Sequence, residues 1–454
     1  MTSVRRAAAE VLLALGRGRT TLAAEVERAR SPFTDRRDRA LLIELTAGTL
    51  RWRNALDAVI EAASRRPIDK VDERACAVLR IGVYQLRYLT RVPDHAVVNE
   101  SVEAVRQLGA PRAASFVNAV LRSVTRGGTR LALPGRPRDD AARAAWIEYL
   151  TVSLSHPAWL VERWLDRYGA ASVEAWCLFN NRTPDVVIRP VPGVDPTALL
   201  ESLRSRGIDA APARYVPDAV ALPPGAVGRL GGDDLERFYI QDEGSQLVAR
   251  AAAVRPAERV LDLCASPGGK TIVMASDLGL RHDVPGAALV ASDHRAARVR
   301  LLAQTLRRSR LAVPIVRLDA RMTLPFSAVF DAVLVDAPCS GLGTVSRDPD
   351  LKWDRTPDQL REFALDQVRM LRAAADSIRS GGRLVYATCS SEPEENTGVV
   401  DAFLATDDRF ALEPISSLSV PASMVDAEGC LATLPFRDGI DAFFAARLVR
   451  RKAT

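Results

Sequence analysis

Cys389 in "YATCSSEPEEN" (residues 386–396) and Cys339 in "VDAPCSGLGT" (335–344) are placed alike, each near the end of a short apolar, strand-like run and fifty residues apart. A thiol does covalent chemistry as the thiolate, which forms at a polar, partly exposed position rather than in a core. The carboxyl end of a strand offers that setting. Two such thiols pose nucleophilic catalysis against the commoner fate of a free cysteine, a small buried hydrophobe. Cys76 and Cys177 lie in helical apolar patterns and take the second reading, while Cys430 sits in a late loop with no assigned task.

A third stretch, "LDLCASPGGKT" (261–271), reads as a strand, a Gly-Gly turn and the start of a helix. Gly268 and Gly269 let a ligand approach the backbone closely, and the free amides of a helix amino terminus suit a carboxylate or phosphate. A P-loop would need glycine where Cys264 stands, and the G-x-G-x-x-G dinucleotide fingerprint is absent. Asp293, Asp319 and Asp336 each close an apolar run on successive predicted strands. One such acid alone would be a cap or turn residue. Three in succession would line one crevice as acceptors for ribose hydroxyls and an adenine amine, with Asp293 where a ribose-binding acid belongs.

These groups need a scaffold. From about residue 241, strand and helix patterns alternate, which predicts a doubly wound, mostly parallel sheet whose ligands sit at the strands' carboxyl ends. Within it, "PDQLREFALDQVRMLRAAADSIRSGG" (357–382) reads as one long helix ending in glycine, and "RLVYATCS" (383–390) as a strand. Residues 148–240 mix strand-like "DVVIRPV" with helical "HPAWLVERWLDRYG" and "DPTALLESLRSRG", a small α/β subdomain. Residues 1–130 carry apolar residues at three-to-four spacing, an all-α bundle of five to seven helices. Between them, 131–147 mixes Pro, Gly and charge and reads as a linker.

Composition narrows the function classes. The 454 residues are 48% hydrophobic and 26% charged, an ordinary globular balance, and no apolar run approaches a membrane span. The Arg-rich start is interrupted by Glu10 and reads as a helix rather than a signal peptide. Six scattered cysteines without a C-x-x-C pair point to a reducing compartment, here the cytoplasm. The histidines, His95, His156, His282 and His294, lack zinc-ligand spacing, so no metal is expected. Net charge is +6, but residues 1–130 hold 23 Lys and Arg against 14 Asp and Glu. That excess suggests a polyanion-binding module, with Arg36, Arg37, Arg39, Arg51 and Arg53 as candidate RNA-backbone contacts, set against a solvated basic surface.

The stretches "LDLCASPGGKT", "DAPCSGLGT", "DPDLKW" and "YATCSSEPEEN" resemble the motifs of the NOL/NOP/Sun family of RNA cytosine-5 methyltransferases. "RVPDHAVVNESVEAVR" and "SFVNAVLR" resemble the RNA-binding domain shared with the antitermination factor NusB, a pairing similar to the bacterial RsmB/Fmu (Sun) branch that acts on small-subunit ribosomal RNA. The likeness spans nearly the whole chain. It implies a NusB-like domain over 1–130 and a Rossmann-like methyltransferase domain over 241–454, acting as a monomer on RNA. It also implies that Cys264, Ala265, Ser266, Pro267, Gly268, Gly269, Lys270, Asp293, Asp319 and Asp336 hold S-adenosylmethionine. Cys389 would be the nucleophile, Cys339 its helper, and Asp336 a partner of the base's ring-nitrogen edge. Ser266, Gly244, Asp348 and Ala442 depart from the family pattern without touching that chemistry.

The resemblance makes sense of two thiols. Carbon 5 of cytosine is a poor nucleophile until a thiolate adds to carbon 6 and turns the ring into an enamine. After methylation the carbon-5 proton must leave so that the thiol can be eliminated, which gives a second group a task. The target base must be flipped out or already unpaired, and Trp353 is a candidate for stacking on it or for the core. Two other readings are a non-catalytic RNA-binding assembly or antitermination factor and a 5-methylcytosine enzyme acting on another RNA. Methylation of a base amino group would call for Asp/Asn-Pro-Pro-aromatic where Asp336-Ala337-Pro338-Cys339 stands.

Overall fold

The computed structural model describes residues 3–18, 20–127, 133–280, 288–415 and 420–452, so His282 and the first two residues of the expected linker lie outside the described residues. The chain divides into two units, Met1–Arg182 with Val345–Asp354, and Thr183–Thr344 with Arg355–Thr454.

Among the described residues up to 127 of the first unit, the three-to-four periodicity yields seven α-helices: α1 (Val4–Leu15), α2 (Leu22–Arg30), α3 (Arg36–Arg51), α4 (Arg53–Ser64), α5 (Glu73–Tyr88), α6 (Asp94–Gln107) and α7 (Ala114–Gly127). Asp35 and Asp72 cap α3 and α5, their side chains accepting from Arg37 N at 2.7 Å and Arg74 N at 3.0 Å. The periodic face buries Leu42, Leu45, Leu56, Leu79 and Leu121 in one core. A further helix, Ala158–Asn180, is broken at Gly169, whose φ of 73° no other residue adopts cheaply. The stretch Val345–Asp354 is built into this helical unit although the chain on either side of it belongs to the other. Asp350 Oδ2 accepts from Leu22 N at 2.9 Å, Trp353 Nε1 donates to Leu50 O at 2.7 Å, and the fully buried Lys352 Nζ donates to Arg51 O at 2.9 Å. Burial brings the Lys352 ammonium down to about 7.

The second unit begins with an antiparallel sheet of β1 (Val186–Pro190), β2 (Ala211–Pro212), β3 (Val220–Leu222) and β4 (Phe238–Ile240), in the order β2-β3-β1-β4. The larger sheet comprises β5 (Arg259–Leu263), β6 (Ala288–Asp293), β7 (Ile315–Arg317), β8 (Phe330–Asp336), β9 (Ile378–Thr388), β10 (Phe410–Glu413), β11 (Leu431–Ala432) and β12 (Phe444–Arg450). Its order is β10-β12-β9-β8-β5-β6-β7 with β11 on β12. The five strands β9 to β7 are parallel, while β12 runs against β9 and β10 against β12. The chain turns in opposite directions from β5 towards β6 and β8, so the switch point lies between β5 and β8.

One expectation is corrected. The helix starting at Pro357 ends at Ala375, and residues 378–382 already belong to β9. Ile378 pairs with Phe330, a register shift follows on β8, and Gly381 at φ 76° carries the irregularity. The apolar pairing across the sheet outweighs the helical continuation that composition favours.

Candidate active site

The loop after β5 turns sharply. Cys264 stands at φ 71° and Gly268 at φ 112° opens the helix Gly269–Asp277. A Cβ on Gly269 would come within 2.9 Å of the Gln241 side chain. Ala265 N donates to Ser292 O at 2.7 Å, which ties this loop to the end of β6. Ala265 and Ser266 are buried and Pro267 is exposed. Burial pushes the Cys264 thiol up, a setting that disfavours the thiolate.

Lys270, one residue into that helix, reaches across to β8. Its Nζ donates to Asp336 Oδ2 at 2.6 Å. Burial alone would lower the ammonium, but the charge and hydrogen bond of Asp336, with the nearby Cys389, raise it. The strand-end acids differ in what they offer. Asp293 is 6% exposed and its Oδ2 is buried without a protein partner. Asp319 lies two residues beyond β7 and is already engaged: Arg321 Nε and Nη2 bind its two oxygens at 3.0 and 2.8 Å, bringing it to about 2.

β8 and β9 pair up to Asp336 and Ala387, and Ala337 N donates to Ala387 O at 2.9 Å. Beyond that point each strand delivers its cysteine. Cys339 Sγ and Cys389 Sγ lie 3.2 Å apart and both residues are partly exposed. The hydrogen bond to Cys389, then burial and the charges of Cys389 and Glu395, hold Cys339 well above the usual thiol range. Gly343 N closes back on Cys389 O at 3.0 Å, and any Cβ there would strike Ala442 O at 2.1 Å. Cys76 and Cys177 are core thiols, as their helical patterns implied, and Cys430 is buried as well.

Several residues outside the predicted set belong to this edge. Glu395 is fully buried and accepts four hydrogen bonds, from Ser340 N and Oγ, Ser390 Oγ and Gln367 Nε2. The signal was the repeated Cys-Ser pair, 339–340 and 389–390. Asp262, within β5, is also fully buried and accepts from Thr271 Oγ1 at 2.6 Å. An acid inside an otherwise apolar run was its signal.

Burial pushes the Asp262 carboxyl up to about 7 against that hydrogen bond. Because its folded-state pKa lies above the unfolded one, its stabilising share is complete at low pH and is lost as pH rises through about 7. Asp262→Asn should therefore gain stability relative to wild type between about pH 5 and pH 8, on the order of a few kcal/mol. Urea unfolding at the two pH values reads this, and an unchanged difference between the curves would refute it.

Elsewhere the candidates scatter. Arg36, Arg37 and Arg39 are exposed on the helical unit. Arg51 is buried and donates Nη2 to Ser346 O at 2.9 Å, so it is not a surface contact for a polyanion. Trp353 is half-buried, its indole N–H donating to Leu50 O and the Arg53 guanidinium 5.2 Å over its ring. Among the described residues, no group of three or more His, Cys, Asp or Glu could hold a metal ion, and no helix is long and apolar enough to cross a membrane.

Comparison with known proteins gives this geometry its family. The 16S rRNA methyltransferase RsmB/F model matches residues 249–449, the NusB family residues 2–126, and the ferredoxin-like domain of RsmF/B-like methyltransferases residues 156–226. The chain is 34% identical to ribosomal RNA small subunit methyltransferase B of Pseudomonas putida, over 99% of each chain. It belongs to the RsmB/F family of ribosomal RNA methyltransferases. A putative methyltransferase of Mycobacterium tuberculosis is 39% identical over 91% of this chain and 89% of its own. The crystal structure of PH0851 shares the fold, with a TM-score of 0.79 at 22% identity over 98% of this chain and 97% of that one. NSun6 from Pyrococcus horikoshii does so with a TM-score of 0.56 at 19% identity over 65% of this chain and 99% of its own.

The RsmB/F cofactor is S-adenosylmethionine, and the residues here fit it. The unpartnered Asp293 Oδ2 is an acceptor of the kind a ribose hydroxyl satisfies, and the tight turn at Gly268 and Gly269 opens a helix amino terminus where a carboxylate is stabilised.

Proposed function

We propose that this RsmB/F protein methylates carbon 5 of a cytosine in small-subunit (16S) ribosomal RNA through a covalent bond between Cys389 and carbon 6. The observation that supports this most is the pair of thiols 3.2 Å apart at the ends of adjacent parallel strands, beside the Lys270–Asp336 pair. The loop from Cys264 to Lys270, with Asp293, Asp319 and Asp336, is the proposed seat of S-adenosylmethionine, which supplies an electrophilic methyl group when bound.

The chain's own residues do the rest. The Cys389 thiolate adds to carbon 6, a step favoured by the ammonium of Lys270 nearby. Asp336, steadied by Lys270, accepts from the amino group beside the base's ring-nitrogen edge, and the Lys270 ammonium offsets the negative charge that builds on the base. Once carbon 5 carries the methyl group, its proton leaves, the electrons restore the ring double bond, and the carbon 6–sulfur bond breaks to return the Cys389 thiolate. Cys339 serves this elimination. The hydrogen bond that holds its proton is lost when Cys389 becomes a thioether. Its proton then passes to solvent, and Cys339 takes up the carbon-5 proton.

The reading treats the protein as a cytoplasmic monomer whose basic helical unit contributes to RNA binding. The test is bisulfite sequencing of ribosomal RNA from cells with and without the gene. Loss of one 5-methylcytosine from 16S RNA is the expected result. A 5-methylcytosine lost only from another RNA would redirect the substrate, and no loss together with intact RNA binding would favour the non-catalytic assembly factor.

A further inference from the structure

The backbone pairing of β8 and β9 ends just before the two thiols, at Asp336 and Ala387 with one further bond from Ala337 N. Beyond that point Gly343 N donates to Cys389 O at 3.0 Å and Ser340 Oγ lies 3.2 Å from Ser390 Oγ, and one buried side chain bridges both strand ends. Glu395 Oε2 accepts from Ser340 Oγ and Ser390 Oγ at 2.5 Å each, and Oε1 accepts from Ser340 N at 2.7 Å and Gln367 Nε2 at 3.2 Å. Gln367 Nε2 also donates to Pro338 O at 3.0 Å. The carboxylate thus grips the residue after each thiol and, through Gln367, the residue before Cys339. Ser340, Ser390, Gln367 and Glu395 are all at most 1% exposed. A buried carboxylate is costly unless its acceptor sites are filled, and four donors converge on this one. A carboxylate accepts from all four at once, whereas an amide would offer one accepting oxygen and have to donate its NH2 to the serine hydroxyls, reversing two of these hydrogen bonds.

We propose that Glu395 is the positioning residue of the methyl transfer, binding the ends of β8 and β9 together and so setting the separation and relative orientation of Cys339 and Cys389. This rests on Cys389 being the nucleophile and Cys339 the group that serves release. Glu395 touches neither substrate nor cofactor and acts through Ser340 and Ser390. Its negative charge, on the Cys339 side of the pair, also helps keep that thiol basic enough to accept a proton during release.

The test uses the full-length protein, tritiated S-adenosylmethionine and a 16S ribosomal RNA transcript, with Glu395→Gln, Ser390→Ala and Cys389→Ala in parallel. Glu395→Gln keeps the shape of the side chain but removes its charge and replaces one accepting oxygen with an NH2, which reverses the hydrogen bonds to Ser340 Oγ and Ser390 Oγ. Its single-turnover methyl transfer per folded molecule should fall roughly 10²-fold, the scale of a small misplacement of reacting groups. KM for RNA and the dissociation constant for S-adenosylmethionine should stay within about twofold, and protein–RNA adduct should persist because release suffers with addition. Ser390→Ala, which leaves the carboxylate with three donors, should lose about tenfold with the same split and carries the test if Glu395→Gln does not fold. A wild-type rate in either folded variant would overturn the proposal, as would a loss confined to KM or to cofactor binding. If Cys389→Ala is inactive while the Glu395 and Ser390 variants are normal, only the positioning role fails. If Cys389→Ala is active, the underlying assignment fails first.

Discussion

Cys389→Ala protein should transfer no methyl group to RNA yet still bind S-adenosylmethionine. The expected fall in transfer is roughly 10⁴-fold or more, as when a covalent nucleophile is removed from an enzyme that depends on it. The reason is chemical. Without addition at carbon 6, carbon 5 has no enamine electrons with which to attack. Cys339 is not expected to substitute, because it is delivered by the chain after β8 and not by the end of β9. Cofactor binding should survive, since the Cys264–Gly268 turn and Asp293 belong to β5 and β6 rather than to β9. Tritium transfer to ribosomal RNA, with equilibrium dialysis of the cofactor, reads both halves. Retained transfer would remove the thiol from the mechanism.

Cys339→Ala has the opposite signature. On the proposed mechanism addition should proceed, because Cys389, Lys270 and Asp336 are untouched, while the carbon-5 proton would have lost its acceptor. The variant should accumulate a protein–RNA adduct that survives a denaturing gel, while multiple-turnover methylation falls by roughly 10²-fold or more. Pretreatment of the RNA-bound sample with ribonuclease should collapse the shifted band. A variant that turns over normally without an adduct would assign release to another group. The two sulfurs lie 3.2 Å apart, so opposite phenotypes from two such close thiols are hard to obtain by general damage to the fold.

Much of this site could be read from the chain because its parts are local. Strand ends are marked by apolar runs that stop at Asp293, Asp336 and Cys389, and the turn before the helix Gly269–Asp277 is written in consecutive residues. What stayed hidden is what depends on distant partners. In the sequence Glu395 is one of three acids that follow Cys389 in "CSSEPEEN", yet its donors come from residues 340, 367 and 390. The overrun of the predicted helix past Ala375 has the same origin: local composition favours helix, and Ile378 is claimed by Phe330 across the sheet. Nor does any local pattern say that residues 345–354 fold with the helical unit, where Asp350, Lys352 and Trp353 find partners more than three hundred positions earlier. That placement also explains why Arg51, a surface candidate by charge, is buried: Ser346 takes its guanidinium.

The central claim is a bond between one sulfur and one ring carbon, and it can be observed directly. Wild-type protein is incubated with S-adenosylmethionine and 16S RNA containing 5-fluorocytosine, whose fluorine blocks the final loss of a proton from carbon 5. The complex is then digested with protease and ribonuclease, and the linked peptide is sequenced by mass spectrometry. A methylated fluorocytidine nucleotide on Cys389 is the predicted result. The same nucleotide on Cys339, or methyl transfer to normal RNA with no linked peptide from the fluorinated one, would contradict the account.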